Sequence, residues 1–504
     1  MPETKPFPSV LIPMPQGMGV NGVAVWALRM AGALAKRGWM IGLMLHGEPP
    51  GHSNAGHSVP SGVRTHDLRH LPPLGTPGAP LHPHIQAYRN ALEDLGWSPK
   101  APAIMLPNLD PNTFAIAAAL NAAHGDRLRV LGWQHSDTPF DATLITSYEP
   151  MFTTMVGVSS QIVDTLRDLV TWRAEDIRQV HNGVEVKPTI KNRADGPLRL
   201  LYTGRFEDKQ KRIGVILQIA NLLQEADIPY SMRLVGDGPA ANEVAIAAKK
   251  LGSVECIPPA SLQEMSAHYR WADIKLLASR YEGLSISMLE AMAAGVVPIV
   301  SRVRSGARDA IDHGVNGMLV EAGENDADIT VAERFGDAVL AFAESPERLA
   351  RMRAAAHARV LERFSLESHV DACVEVFQAA AAAEPRWWPL ERSCGFDSAA
   401  GGGGSVPPDA AERAAKVLSR EQGTLAIYGA GRHTRAIAHV LAHARISYII
   451  EDDRSLHGKT LWGWPIISLE KAKPETSVLV SSYMHQRAMA DRARSKGLRV
   501  ITLY

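Results

Sequence analysis

At 504 residues the chain exceeds the size at which one hydrophobic core stops growing, so two to four domains are expected. Its 46% hydrophobic and 21% charged residues exclude a disordered or fibrous protein, and 53 Lys plus Arg against 53 Asp plus Glu give no global field that would draw nucleic acid. Cys256, Cys373 and Cys394 are few, odd in number and without metal-ligand spacing, which excludes a disulfide framework and suits a reducing cytoplasm.

The first eight residues hold prolines and a glutamate where a signal peptide needs a basic start and an apolar run. No stretch supplies the roughly 20 uninterrupted apolar residues of a spanning helix. A cytoplasmic protein is expected, with at most peripheral contact at the inner face of a membrane. Ser9 to Pro13 reads as a strand, Gly17, Gly19 and Gly22 as a loop, and Val23 to Arg37 as a helix. Met40 to Leu45 reads as a second strand. Glu48 to Pro80, rich in Gly, Pro, Ser and His, reads as a long loop, and its His52, His57, His66 and His70 as solvated rather than metal-binding. Short apolar runs at Ala103 to Leu106, Leu128 to Trp133 and Met155 to Val158 alternate with helical segments, the pattern of a parallel sheet covered on both faces.

The alternation restarts after about residue 190. Strands are expected at Leu198 to Tyr202, Met232 to Val235, Val254 to Ile257, Ile274 to Ala278 and Val297 to Val300. Helices from Ala332 to Ala380 are expected to close this second doubly wound domain. Residues 383–408, with Arg386-Trp387-Trp388-Pro389 and the run Gly401 to Gly404, read as a linker, the two tryptophans as packing or docking groups. A small α/β domain follows from 409 to 504. The fold class is thus α/β, with two facing Rossmann-like lobes at 1–190 and 191–382 and a third, smaller Rossmann-like domain.

Facing parallel-sheet lobes bind ligands between the carboxyl ends of their strands. There, Leu198 to Tyr202 runs into Thr203-Gly204-Arg205-Phe206 and Lys209-Gln210-Lys211-Arg212, placing a guanidinium and an ammonium where a diphosphate could be neutralised. Ala278 to Ser285 leads into a helix bearing Glu290; Gly283 lets backbone approach a ligand, and the helix start favours an anion. Glu282 stands where sugar hydroxyls could be held, and Glu290, read as two turns into the helix, where a ribose could be. Singly, each charge could equally be a solvated surface group. His135 alone reads as readily as a hydrogen-bonded structural residue. No Asp-x-Asp pair ends a strand, so no divalent metal is implied.

Residues 9 to 380, most strongly 198 to 320, resemble the family 4 retaining glycosyltransferases of the GT-B fold. The resemblance is carried by Glu282-x7-Glu290 followed by Ala291-Met292-Ala293-Ala294-Gly295, by Gly204-Arg205 with Lys211, by Val235-Gly236-Asp237-Gly238-Pro239 and by His313-Gly314-Val315-Asn316-Gly317. In the first lobe it extends to Gly17, Gly19 and Gly22, His135-Ser136-Asp137, Val158-Ser159 and Asn182-Gly183-Val184. It implies a nucleoside diphosphate sugar as donor, no cofactor, and donor contacts at Gly19, Gly204, Arg205, Lys211, Gly236, Glu282, Gly283, Leu284 and Glu290. Arg205 and Lys211 would bind the diphosphate, Glu290 the ribose and Glu282 the transferred sugar, with His135 beside the reacting carbon. It further implies front-face transfer with retention and no protein nucleophile. Arg302-Val303-Arg304 departs from the family pattern by adding two cations near the donor site.

In the last domain Leu425 to Tyr428 leads into Gly429-Ala430-Gly431-Arg432-His433-Thr434, a dinucleotide-type turn, and Asp452 lies 21 positions after Gly431, a spacing that suits a ribose. Asp452 to Lys459 with Gly463-Trp464-Pro465-Ile466 resembles small Rossmann-like domains of sugar-modifying enzymes. Gly429, Gly431, Thr434 and Asp452 are its candidate nucleotide contacts, with a packing or dimerising role as the other reading. The expected activity is hexosyl transfer to a carbohydrate or lipid-linked acceptor in surface polysaccharide or glycolipid synthesis. The rivals are a nucleotide-sugar epimerase and a non-catalytic sensor.

Overall fold

A strand covered on both faces must be apolar on both, and Val10–Met14, with sequence VLIPM, is buried at every position. The computed structural model describes residues 7–19, 21–47, 57–74, 76, 80–187, 190, 196–259, 261–323, 326–390, 394, 410–421, 423–431, 433–434, 437–441, 444–474, 476–482 and 486–504. His52 and most of the expected linker, 391–393 and 395–408, lie outside them. The chain divides into two compact units, residues 1–395 and 396–504.

The first unit holds two parallel sheets. One is ordered β3-β2-β1-β4-β5-β6-β7, formed by Val10–Met14 (β1), Ile41–Leu45 (β2), Arg64–Asp67 (β3), Ala103–Met105 (β4), Leu128–Gln134 (β5), Phe152–Gly157 (β6) and Ile177–Gln179 (β7). The other is ordered β10-β9-β8-β11-β12-β13, formed by Leu198–Thr203 (β8), Tyr230–Val235 (β9), Val254–Ile257 (β10), Ile274–Leu277 (β11), Val297–Ser301 (β12) and Met318–Val320 (β13). Strand order reverses between β1 and β4 and between β8 and β11, the two places where loops part and a ligand can enter.

Several features differ from the sequence reading. Arg64–Asp67, inside the expected loop, is an edge strand paired with β2. Its residues are polar because an edge strand with open faces has no core to fill. His57 is buried rather than solvated, its amide donating to the Met18 carbonyl at 3.3 Å. Helix Leu366–Ala382 packs on the first lobe instead of closing the second. Its buried stripe of Val370, Cys373 and Phe377 meets helix Gly22–Lys36, where Cys373 Sγ lies 3.6 Å from Met30 Sδ, and Phe377 stacks edge-on against Trp39 and Trp133.

After that helix, residues 383–390 lie along the first lobe. Trp388 is buried against Tyr148, and Asn121 accepts from the Trp388 amide at 2.6 Å while donating to the Arg386 carbonyl at 2.9 Å. Asn121→Ala would strand both backbone groups and is expected to cost about 2 kcal/mol, read as a lower urea midpoint at unchanged slope.

The second unit carries a sheet ordered β16-β17-β15-β14-β18-β19, from Leu425–Tyr428 (β14), Ile446–Ile450 (β15), Thr460–Leu461 (β16), Trp464–Ile467 (β17), Ser477–Val480 (β18) and Arg499–Ile501 (β19). Among the described residues of this sheet only the β16–β17 pair is antiparallel. Among the described residues no helix is long and apolar enough to cross a membrane.

Candidate active site

Parallel pairing of β8 with β11, Ile274 beside Leu200 and Lys275 beside Leu201, makes the loops that follow the two strands emerge side by side. The Arg280 amide donates to the Gln210 carbonyl at 2.8 Å, and Gln210 Nε2 donates to the Tyr281 carbonyl at 3.2 Å. That frame brings Lys211 Nζ to 2.5 Å from Glu282 Oε1, which also accepts from Ser279 Oγ at 2.7 Å. Stretches 204–211 and 282–290 thus converge on one gap. Gly236 closes in beneath them, where a Cβ would stand 1.9 Å from the Gly204 carbonyl oxygen.

Ser285 caps helix Ile286–Ala293, its Oγ accepting from the Met288 amide, so Glu290 lies little more than one turn in, not two. Glu290 is gripped from both sides. Arg29 of helix Gly22–Lys36, in the first lobe, donates to Oε1 at 2.5 Å, and Tyr269 of helix Leu262–Trp271 donates to Oε2 at 2.7 Å. Burial and the Glu290 charge hold the Tyr269 phenol well above its ordinary value, so it stays a donor.

His135 follows β5 on the facing lobe. Its ring lies edge-on to Trp26 at 4.5 Å, and its Nε2 is buried without a hydrogen-bond partner among the described residues. Its carbonyl meets Gly283 so closely that a Cβ there would stand 1.8 Å from the oxygen. Next to it the buried Leu284 offers its carbonyl to Asn182 Nδ2 at 2.8 Å. Burial, with nearby His369, pushes the His135 imidazole down to about 3, so it is neutral under physiological conditions. Because the unfolded ring titrates near 6.5, its stabilising contribution is complete above that pH and is lost as pH falls toward 3. His135→Gln is therefore expected to lose about 2 kcal/mol less than the parent between pH 7.5 and 5 in urea titrations.

Other expected groups lie outside this network of contacts among the described residues. Arg205 is exposed, its guanidinium making no hydrogen bond with the described residues, although its carbonyl accepts from Tyr202 at 2.7 Å. Arg302 pairs with Glu321 on the surface at 2.8 Å. Arg304 reaches across to Asp137 at 3.2 Å. Arg212, fully buried, donates to the Gly323 carbonyl and supports the loop rather than the gap. Gly19 sits in the loop after β1 with its carbonyl accepting from the Asn21 amide.

Three residues at the gap escaped the sequence reading: Arg29, Tyr269 and Lys275. The last is a fully buried amine at the reversal of strand order, bonded to Thr203 Oγ1 at 2.5 Å. A lysine inside the apolar run Ile274–Leu277 and an arginine inside the apolar helix Gly22–Lys36 were the available signals. The cavity beside Glu282, lined by Ser279, Ser285, Met288 and Ser305, measures about 10 Å³. The two lobes meet where Gly283 abuts the His135 carbonyl.

In the second unit the amide of Ala430, between Gly429 and Gly431, donates to Glu451 Oε2 at 2.6 Å, so a carboxylate already holds that turn. Asp452 accepts from Tyr428 at 2.8 Å and Arg492 at 2.6 Å. Thr434 is buried, donating to the Gly429 carbonyl and bonded to Ser481 Oγ at 2.9 Å.

The family model of glycosyl transferases group 1 matches residues 197–338, which span β8 to β13 and every second-lobe group at the gap. A D-inositol 3-phosphate glycosyltransferase of Catenulispora acidiphila is 28% identical over 45% of this chain and 57% of its own. A lipopolysaccharide 1,6-galactosyltransferase of Salmonella typhimurium is 28% identical over 40% of this chain and 57% of its own. The chain thus spans under three-fifths of the length of these two curated relatives. Among solved structures, sucrose-phosphate synthase of Thermosynechococcus elongatus aligns with a TM-score of 0.60 at 18% identity, over 75% of this chain and all of that one. The Anabaena protein HepE, solved in complex with UDP, aligns at 0.54 and 15% identity, over 74% of this chain and all of that one. Residues 197–338 are a glycosyl transferases group 1 domain, and it forms the second lobe of a GT-B fold.

Proposed function

We propose that the chain transfers a sugar, with retention and without a metal, from a nucleoside diphosphate donor to a carbohydrate or lipid-linked acceptor. The observation that carries this reading is the Lys211–Glu282 pair at 2.5 Å, set past adjacent parallel strands with Glu290 on the helix that follows. Lys211 is the cation placed to meet a departing diphosphate, a preorganised charge of the kind that contributes most to such reactions. Glu282 then gives up its ammonium partner to the phosphate and accepts from sugar hydroxyls, while Glu290 exchanges Arg29 for the ribose. His135, neutral and unpartnered at Nε2, is a donor or acceptor for the sugar rather than a cation. The named roles of the relatives, with the amylovoran biosynthesis glycosyltransferase of Erwinia amylovora among them, favour an acceptor in surface polysaccharide or glycolipid assembly.

Incubation of the purified chain with UDP-, GDP- and ADP-sugars tests the reading. Slow release of free nucleoside diphosphate, abolished in Lys211→Met, is expected, with the transferred sugar keeping its anomeric configuration by NMR. Interconversion of sugars without nucleotide release would mark an epimerase, and binding without turnover a sensor; either overturns the proposal.

A further inference from the structure

Burying an ammonium in an apolar strand is costly unless its charge is used. Lys275 is fully buried, with Ile274, Leu276 and Leu277 as its chain neighbours, and pairs in register with Leu201 of β8. Two residues further along β8, on the same face, Thr203 supplies the partner: Lys275 Nζ donates to Thr203 Oγ1 at 2.5 Å and stands 3.5 Å from its carbonyl. Beside Thr203 stands the Tyr269 phenol, which donates to Glu290 Oε2 at 2.7 Å. Two buried hydrogen bonds, Lys275 to Thr203 and Tyr269 to Glu290, therefore stand side by side, where low dielectric strengthens each.

We propose that Lys275 is a positioning residue for the nucleotide site, holding Thr203 against Tyr269, the phenol that grips Glu290, and keeping in reserve a buried positive charge that a bound diphosphate calls up. The inference rests on reading Lys211 and Glu290 as nucleotide-binding groups. Lys211, Glu282 and Glu290 act on the amine across the gap, and Arg29 lies beyond on Glu290. Among these four the charges balance, two cations against two carboxylates, so the amine decides the sign of the site. Burial lowers it to about 7, with Lys211 adding to the effect and both glutamates opposing it. An arriving diphosphate adds negative charge, favours the ammonium and draws a proton onto Lys275. The contribution of that charge is complete below the amine's titration and declines above it.

Calorimetric titration of the full chain with UDP, GDP and ADP at pH 7.5, in Tris and in HEPES, reads the proton directly through the two buffers' different ionisation heats. The parent protein is expected to take up a fraction of a proton on binding. Lys275→Met, which keeps the length and apolar fit, is expected to lose that uptake and bind about tenfold more weakly. Thr203→Val keeps the amine but removes its hydrogen-bond partner beside Tyr269, and is expected to weaken binding about fivefold while the proton is still taken up; it also serves if circular dichroism shows Lys275→Met unfolded. Equal proton uptake in parent and Lys275→Met, or unchanged affinity in Thr203→Val, overturns the inference and leaves the transferase reading standing. Failure of all three nucleotides to bind the parent overturns both.

Discussion

Lys211→Met is expected to lower kcat/KM for the donor sugar by at least about a hundredfold, close to 2.7 kcal/mol of transition-state stabilisation. Two losses combine. The cation that meets the leaving diphosphate disappears, and Glu282, only 14% exposed, is left without its 2.5 Å ion-pair partner. An uncompensated carboxylate in that position repels the incoming phosphate as well as costing its own desolvation. Arg205→Ala is expected to cost about tenfold, because its exposed guanidinium has no buried partner to strand. Steady-state kinetics of the two variants side by side provide the check. A larger loss for Arg205→Ala than for Lys211→Met would place the diphosphate elsewhere in the loop.

Gly283→Ala is expected to reduce turnover by about a hundredfold or more while leaving the melting temperature of the first unit nearly unchanged. A methyl group there would stand 1.8 Å from the His135 carbonyl oxygen; the obstacle is backbone and the backbone also fixes where the Cβ stands, so no rotamer relieves the overlap. The lobes would have to stay apart. Gly283 lies one residue from Glu282, and a gap held open by even an ångström misplaces donor against acceptor. Small-angle scattering of the variant should show a larger radius of gyration than the parent, and kcat should fall more than donor affinity. A fully active variant would mean that the closed contact is not part of the catalytic cycle.

Legibility in the sequence followed burial. Leu198–Thr203 and Val297–Ser301 extend their expected strands by one residue, because strands inside a parallel sheet are continuous apolar runs; the edge strand Val254–Ile257 matches its expected bounds because Val254, Cys256 and Ile257 keep it apolar although it is only partly buried. Arg64–Asp67 and Ile177–Gln179 were not found: both are short, both lie at sheet edges, and their residues are mostly polar. The site divided in the same way. Lys211, Glu282 and Glu290 were legible as charges just past strand ends. Arg29, Tyr269 and Lys275 were not, since what recruits them is the register of β8 on β11 and the approach of the other lobe, neither of which is written in local spacing. Arg205 and Lys211, of equal weight in the sequence reading, differ in setting: the first is exposed, while the second is paired with Glu282.

The chain crosses between the lobes twice, and the crossings are stitched together: the Val184 amide donates to the Phe364 carbonyl at 3.0 Å and the Leu366 amide to the Val184 carbonyl at 2.8 Å. Since helix Leu366–Ala382 then returns to the first lobe, that lobe is completed only after the whole second lobe has been made. A fragment ending at residue 364 would leave Trp39 and Trp133 without Phe377 above them. The first lobe's own interior is in this sense a late event of synthesis, waiting on some two hundred residues of the other lobe to emerge.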